Sequence, residues 1–288
     1  MSTRLRLLVT LVVVTLAALA GLWLWYAYLY TPWTRDGRVR AVVITLASQV
    51  SGPVETLWVT DGQAVEAGEP LFRIEPGRYQ HLVDGAEATL ERRRAELELR
   101  QHEAERRDHL GAQVISAEHL EAARIDRRVA AAALAQAESE LARARLDLEH
   151  TTVTAPVAGH VLNLRLAGGN PVAAGSPVMA LVRDDSWYVT GYFEETKLPR
   201  IRVGDPARVT LMSGDTTLNG RVAAIGRGIA DANTTPDGQL LPQVQPTFDW
   251  VRLAQRIPVH IALDELPEGL ALSVGMTASV RILDAAAE

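Results

Sequence analysis

Apolar residues along the chain follow three rhythms. Leu7 to about Tyr30 is an apolar run without a charge. Two later stretches repeat by heptads. Val83, Leu90, Leu97 and Ala104 mark the first; Leu120, Leu134, Leu141 and Leu148 mark the second, with Ala123, Ala130, Ala137 and Ala144 three residues on. Heptad spacing predicts helices that pack along one seam, and alanine facing leucine lets them approach closely. Gly111-Ala112-Gln113 breaks the pattern and Ser116 is an N-cap candidate. So short a break demands an antiparallel hairpin with arms of roughly 50 Å. The remaining chain alternates over short windows bounded by glycine and proline, which predicts strands.

One alternating stretch occurs twice. A single offset pairs Gly52 with Gly159, Val54 with Val161, Leu57 with Leu164, Gly62 with Gly169, Val65 with Val172, Gly68 with Gly175, Pro70 with Pro177 and Ile74 with Leu181. Each copy reads as short strands joined by tight turns, with glycine supplying positive φ at the corners. Two such units facing each other close a small β-sandwich. The helical segment separates them.

Beyond the second copy, 186–193 alternates as a strand, Glu194 to Leu198 reads as one helical turn, and Val203 to Leu211 as turn then strand. Asn219-Gly220 is a hairpin signal ahead of a strand to Ile225. Asp231 to Pro246 has loop composition; Phe248 to Leu263 and Ala278 to Leu283 supply strands, linked through Leu272 to Met276. This spacing suits a small β-barrel. Thr31 to Ala47, with a strand at Val39 to Ile44, is expected nearby.

The N-terminal apolar run exceeds the ~20 residues that span a bilayer. Arg4 and Arg6 precede it, and Trp23, Trp25, Tyr26, Tyr28, Tyr30 and Trp33 crowd its far end like an interfacial belt. The expected topology is single-pass, N-terminus cytoplasmic, bulk outside. The rival reading is a cleaved signal peptide, with Ala18-Leu19-Ala20 as the cleavage site.

Composition narrows the function. The 288 residues are 48 % hydrophobic and 22 % charged, with net charge −6, so nothing marks a nucleic-acid partner. There is no cysteine, which excludes disulfides, thiolate metal sites and a lipid-modified N-terminal Cys. The seven histidines lack metal spacing; His102 and His109 are seven apart on one helix. No nucleophile motif or phosphate loop is present, so neither catalytic residue, metal nor cofactor is expected. Lys197, the only lysine, lies outside both half-motifs. A swinging-arm carrier, which needs a lysine between its half-motifs, is thereby excluded.

The repeated stretch resembles the half-motifs of biotinyl/lipoyl domains. Such a domain split by a helical hairpin, with an anchor and a β-barrel, resembles the HlyD/EmrA-type membrane fusion (periplasmic adaptor) family. Pro32-Trp33-Thr34-Arg35-Asp36-Gly37, Glu194 to Leu198 and Trp250 to Val259 resemble the adaptor subunit of the p-hydroxybenzoic (aromatic carboxylic) acid efflux system. The expected layout is a cytoplasmic tail (1–6), transmembrane anchor (7–30), membrane-proximal strand (31–46), split lipoyl-like sandwich (47–76 and 152–183), α-helical hairpin (77–151), and β-barrel with membrane-proximal region (184–288).

The resemblance implies an inner-membrane protein with a periplasmic bulk. It would link an inner-membrane transporter to a TolC-type outer-membrane channel as a homo-oligomeric ring, with no cofactor. Many adaptors mark the channel contact with an Arg, a Leu and a Ser. Arg106, Leu110 and Ser116 match these, one residue closer between Leu110 and Ser116 than usual, with Gln113 at the tip. Alternatives are a secretion-exporter adaptor, or a membrane-anchored envelope scaffold without a transporter.

Overall fold

The computed structural model describes residues 11–22, 31–110, 116–214, 216–229, 254–267 and 269–283. They divide into two compact bodies, Val43–Asp184 and the residues on either side of it.

The first body is built on the repeat. Strands β2 (Val43–Ala47), β3 (Gly52–Leu57), β4 (Ala64–Val65) and β5 (Pro70–Ile74) come from one copy. Strands β6 (Thr152–Thr154), β7 (Gly159–Leu162), β8 (Pro171–Val172) and β9 (Pro177–Arg183) come from the other. They form two four-stranded sheets, ordered β2-β9-β7-β4 and β6-β5-β3-β8. Each strand has its repeat equivalent at the same place in the other sheet, so the copies are interleaved and each contributes two strands to each sheet. Both sheets cover one core, in which Leu71, Phe72, Ile74, Val161 and Leu181 are wholly buried.

Turn chemistry repeats with the strands. Gly62 (φ 82°) and Gly169 (φ 85°) donate their N–H groups to Val161 and Val54 respectively, each at 2.8 Å. Gly68 and Gly175, also at positive φ, donate to Ala155 and Ser48. Every one of these bonds runs from one copy to the other.

Helices α2 (Gly77–Leu110) and α3 (Ala117–Glu149) form the hairpin. Its seam is thin. Val83, Leu90, Ala104, Ala123, Ala130, Ala137 and Leu141 are buried, whereas Leu97, Leu120, Leu134 and Leu148 are only half-buried. Small residues on α3 bring the helices together at the expense of apolar area. Two ion pairs tie the arms at the surface, Arg145 to Glu87 (2.6 Å) and Arg124 to Asp108 (2.9 Å). The base is stapled to the sandwich: Tyr79 sits in the sandwich core and donates its hydroxyl to the Ser51 carbonyl at 2.7 Å, and Leu148 packs on the same core.

The second body is a closed barrel ordered β1-β10-β13-β12-β11-β14. Its strands are β1 (Trp33–Arg40), β10 (Tyr188–Glu194), β11 (Pro206–Leu211), β12 (Thr217–Ile225), β13 (Arg256–Leu263) and β14 (Thr277–Ile282). A 3-10 helix (Glu195–Arg200) occupies the expected helical turn. Val39, Val189, Phe193, Val209, Val259 and Ile261 are wholly buried inside.

Three expectations change. The strand expected across Val39 to Ile44 is divided, β1 closing the barrel against β14 while β2 pairs with β9 in the sandwich. Asn219-Gly220 is not a turn but lies inside β12, opposite Arg208 and Ala207. A Cβ on Gly220 would stand 2.3 Å from the Ala262 carbonyl oxygen, so this glycine serves close strand approach. Trp33, expected in an interfacial belt, is the first residue of β1.

Residues 11–22 are helical (α1), and Leu11, Val14, Leu16, Leu19 and Leu22 are exposed. Among the described residues no helix is long and apolar enough to cross a membrane. The rest of the expected anchor, including Trp23, Trp25, Tyr26, Tyr28 and Tyr30, lies outside the described residues, as does Trp250 to Leu253.

Candidate functional site

The hairpin tip is the first candidate. Arg106 is exposed near the end of α2, and the last turn adds Arg107 and His109, cations that suit the negative end of a helix dipole. Asp108, between them, is held by Arg124 from α3. Ser116 caps α3: its backbone is extended (φ −64°, ψ 147°) and its hydroxyl accepts from the His119 N–H at 3.4 Å. Leu110 ends α2, and Gln113 lies outside the described residues. Arg106 and Ser116 therefore occupy the same end of the hairpin, with Arg106 solvated and Ser116 engaged in capping. The cap accounts for the serine without a partner.

The rest of the hairpin surface carries apolar side chains with no cover. Leu99, Ile125 and Val129 are 55 %, 43 % and 62 % exposed. Ile125 and Val129 are one turn apart on α3, so they share a face. These residues fall outside the heptad rows that mark the seam.

The histidines do not converge. His102 lies near Glu98 and Glu105 on the exposed side of α2, at 3.8 and 3.9 Å. His160 meets Asp184 at 2.7 Å, and His260 contacts Thr190 at 3.1 Å beneath the edge of Tyr188. Among the described residues no group of three or more His, Asp or Glu side chains could hold a metal ion.

A second cluster escaped the sequence reading. On the outside of the barrel Trp33 pairs directly with Arg281, and Arg281 pairs directly with Arg208. Thr210 and Ser279 form the adjacent cross-strand pair. These residues line a cleft of about 240 Å³. Lys197, on the 3-10 helix, lies 5.6 Å from the centre of the Trp33 ring and donates to the Trp33 carbonyl at 3.4 Å; Arg35 approaches the same ring at 5.4 Å. The signal was present as alternation, Arg208-x-Thr210 and Ser279-x-Arg281, but nothing local says that these strands are neighbours.

Comparison with known proteins covers nearly the whole chain. Residues 77–149 match the family model of the pHBA AAEA subunit, alpha-helical hairpin domain, and residues 186–283 match the AAEA-like beta-barrel domain. YdhJ of Escherichia coli (strain K12), described as uncharacterized, is 42 % identical over 273 residues, covering 95 % of this chain and 96 % of YdhJ. Among solved structures, the membrane fusion protein Spr0693 of Streptococcus pneumoniae R6 superposes with a TM-score of 0.63 at 17 % identity, over 88 % of this chain and 98 % of that one. MacA of Actinobacillus actinomycetemcomitans gives 0.63 at 19 % identity, over 89 % and 82 %. At such identities the two structures speak for the fold alone.

Proposed function

We propose a role from one premise: the chain belongs to the membrane fusion (periplasmic adaptor) family, on the branch of the pHBA AAEA subunit. On this reading it is a non-enzymatic adaptor of a tripartite efflux pump. It joins an inner-membrane transporter to a TolC-type outer-membrane channel and acts as a homo-oligomeric ring. Its cargo is aromatic carboxylic acids or similar small toxic compounds, as the pHBA branch suggests. The N-terminal apolar segment anchors it in the inner membrane, and the interleaved sandwich serves as the lipoyl-like brick of the ring.

The observation that carries the reading is the hairpin. Two helices of 34 and 33 residues project from a well-packed sandwich on a seam of small side chains, leaving Leu99, Ile125 and Val129 uncovered. Such a finger has little core of its own and is best stabilised by neighbours that bind only the folded form. Arg106, Leu110, Gln113 and Ser116 are proposed to meet the channel at its tip.

In-cell photo-cross-linking from Gln113, with a C-terminal tag, tests this. The expected result is capture of a TolC-type channel with a multi-pass transporter co-purifying, and loss of the channel adduct in Arg106→Asp. Capture of neither, from protein shown to be folded and membrane-bound, would leave the envelope scaffold as the better account.

A further inference from the structure

The residues that open the barrel constrain where one of its ends lies. The register puts the first residues of β1, β11 and β13 and the last of β10, β12 and β14 at the same end. The chain enters there. Pro32 is buried and its carbonyl accepts from the Ile282 N–H at 2.9 Å, so the barrel already holds the chain at Pro32. The uncharged apolar run ends at about Tyr30, which leaves one residue, Thr31, between them. Two residue steps span at most about 7 Å. A lipid headgroup layer is roughly 5–8 Å deep. With the run in the bilayer, as the anchor proposed above requires, this end of the barrel is held in the headgroup layer or against it.

The loops at the entry end suit such a surface. Val203, 64 % exposed, stands at the apex of the turn 201–205, and Ile229, 41 % exposed, follows β12. The turn is braced. Gly204 takes φ 97° and donates to the Val222 carbonyl at 2.8 Å, Val222 donates back to the Asp205 carbonyl at 2.9 Å, and the Asp205 carboxylate accepts from the Arg202 N–H at 2.7 Å. Ile201, two residues before Val203, lies in the barrel core. The fold therefore holds Val203 outward. Arg202 and Arg227 are exposed beside these apolar tips, and Lys197 and Arg200 lie on the 3-10 helix that leads into the turn. Against those four cations the described residues of the same loops hold two acids, Glu195 and Asp205, and Asp205 is engaged in the turn.

The other end of the barrel is a built-in contrast. Its loops, 212–216 and 264–276, have no Lys or Arg among their described residues and present Asp264 and Glu265. Met212 is 68 % exposed there, so both ends have an apolar tip and only the entry end couples it to cations. Apolar tips that enter the headgroup boundary, flanked by Arg whose alkyl stems lie along them, are the pairing an anionic lipid surface takes.

We infer that the entry end of the barrel, with Val203 and Ile229 as tips and Arg202 and Arg227 beside them, docks on the anionic phospholipid headgroups of the membrane. The inference rests on the anchor of the adaptor reading above. Docking fixes the tilt of the barrel on the membrane, which a one-residue tether alone leaves free.

The chain has no cysteine, so Val203→Cys and Met212→Cys each create a single labelling site. The full chain, carrying an environment-sensitive fluorophore at one of them, is reconstituted into phosphatidylcholine vesicles with and without phosphatidylglycerol. The vesicles hold no other protein, and a lipid spin-labelled on its headgroup is the quencher. The probe at 203 should be quenched, more strongly with phosphatidylglycerol, while the probe at 212 stays in water. Arg202→Gln and Arg227→Gln should each lower the ratio of docked to undocked barrel by about fivefold in the anionic vesicles. High salt should act in the same direction, and Asp264→Asn at the other end should change nothing. Equal quenching at 203 and 212, or quenching indifferent to phosphatidylglycerol and to both arginines, would overturn the proposal. So would shielding of 203 in native membranes alone, which would assign this end to a protein partner. Flotation separates the two readings. A chain that floats with the vesicles but leaves 203 in water loses the docking and keeps the anchor; a chain that does not float loses both. Channel capture from Gln113 is read independently of either.

Discussion

The sandwich and the hairpin are parts of one compact body, yet they are held together differently. In the sandwich, Leu71, Phe72, Ile74, Val161 and Leu181 are sealed between two sheets, and every sheet mixes strands from both copies of the repeat. In the hairpin the sealed residues form a single file, five of seven of them alanine or valine on one row or the other, and Leu99 and Val129 stay in solvent. The sandwich can satisfy itself. The hairpin is an incomplete layer, and incompleteness on that scale points to assembly.

The contrast can be broken most strongly in the sandwich. Phe72→Ala should destabilise it by about 3–5 kcal/mol, because both sheets lose the same contact and leave a cavity. Hydrogen exchange should then rise in both copies together, Val54 to Ile74 and Val161 to Leu181. Exchange confined to the first copy would show that the interleaving does not make one cooperative unit.

Leu90→Ala should cost about 2–3 kcal/mol, but locally. Exchange should quicken along α2 and α3 while the sandwich strands stay protected, since Leu90 lies outside their core, which the hairpin joins at its base through Tyr79 and Leu148. Global loss of protection would show that the hairpin supports the sandwich.

Gly62→Ala and Gly169→Ala form a matched pair. Each places a Cβ at positive φ with open space around it, so strain alone acts and each should lower stability by about 1 kcal/mol. Melting temperatures that differ markedly between them would break the equivalence of the two copies.

Ser116→Ala should cost about 1 kcal/mol through the lost cap and fray the first turn of α3. Amide exchange at His119 and Leu120 measures that. If channel capture from Gln113 survives while the turn frays, the serine is a cap and nothing more.

Val129→Asp should change the stability of the isolated chain by less than about 0.5 kcal/mol, since the side chain is already exposed. The same change should reduce ring assembly, read by cross-linking in the membrane. Unaltered assembly would leave that face of α3 without a role.

Much of the architecture could be read locally. Heptad spacing located both helices, Gly111-Ala112-Gln113 separated them, and the recurrence of Gly52, Gly62 and Gly68 as Gly159, Gly169 and Gly175 announced a doubled unit. Such features depend on residues close in the chain, where periodicity and backbone preference act directly. The tip was legible in the same way. Arg106 and Ser116 flank the break between the helices, and their placement follows from the hairpin.

What could not be read depends on which distant strands become neighbours. The repeat implies two similar halves; that its strands interleave follows from cross-copy bonds such as Gly62 to Val161, which no local pattern records. Asn219-Gly220 has turn chemistry, but the carbonyl of Ala262 approaches Gly220 so closely that a side chain could not fit, and the pair becomes strand. The barrel cleft is the clearest case. Trp33, Arg208 and Arg281 lie on strands far apart in the chain, each unremarkable alone. Only closure of the barrel sets β14 between β1 and β11 and brings two arginines face to face, because side-chain electrostatics acts through space and the sequence orders residues only along the chain.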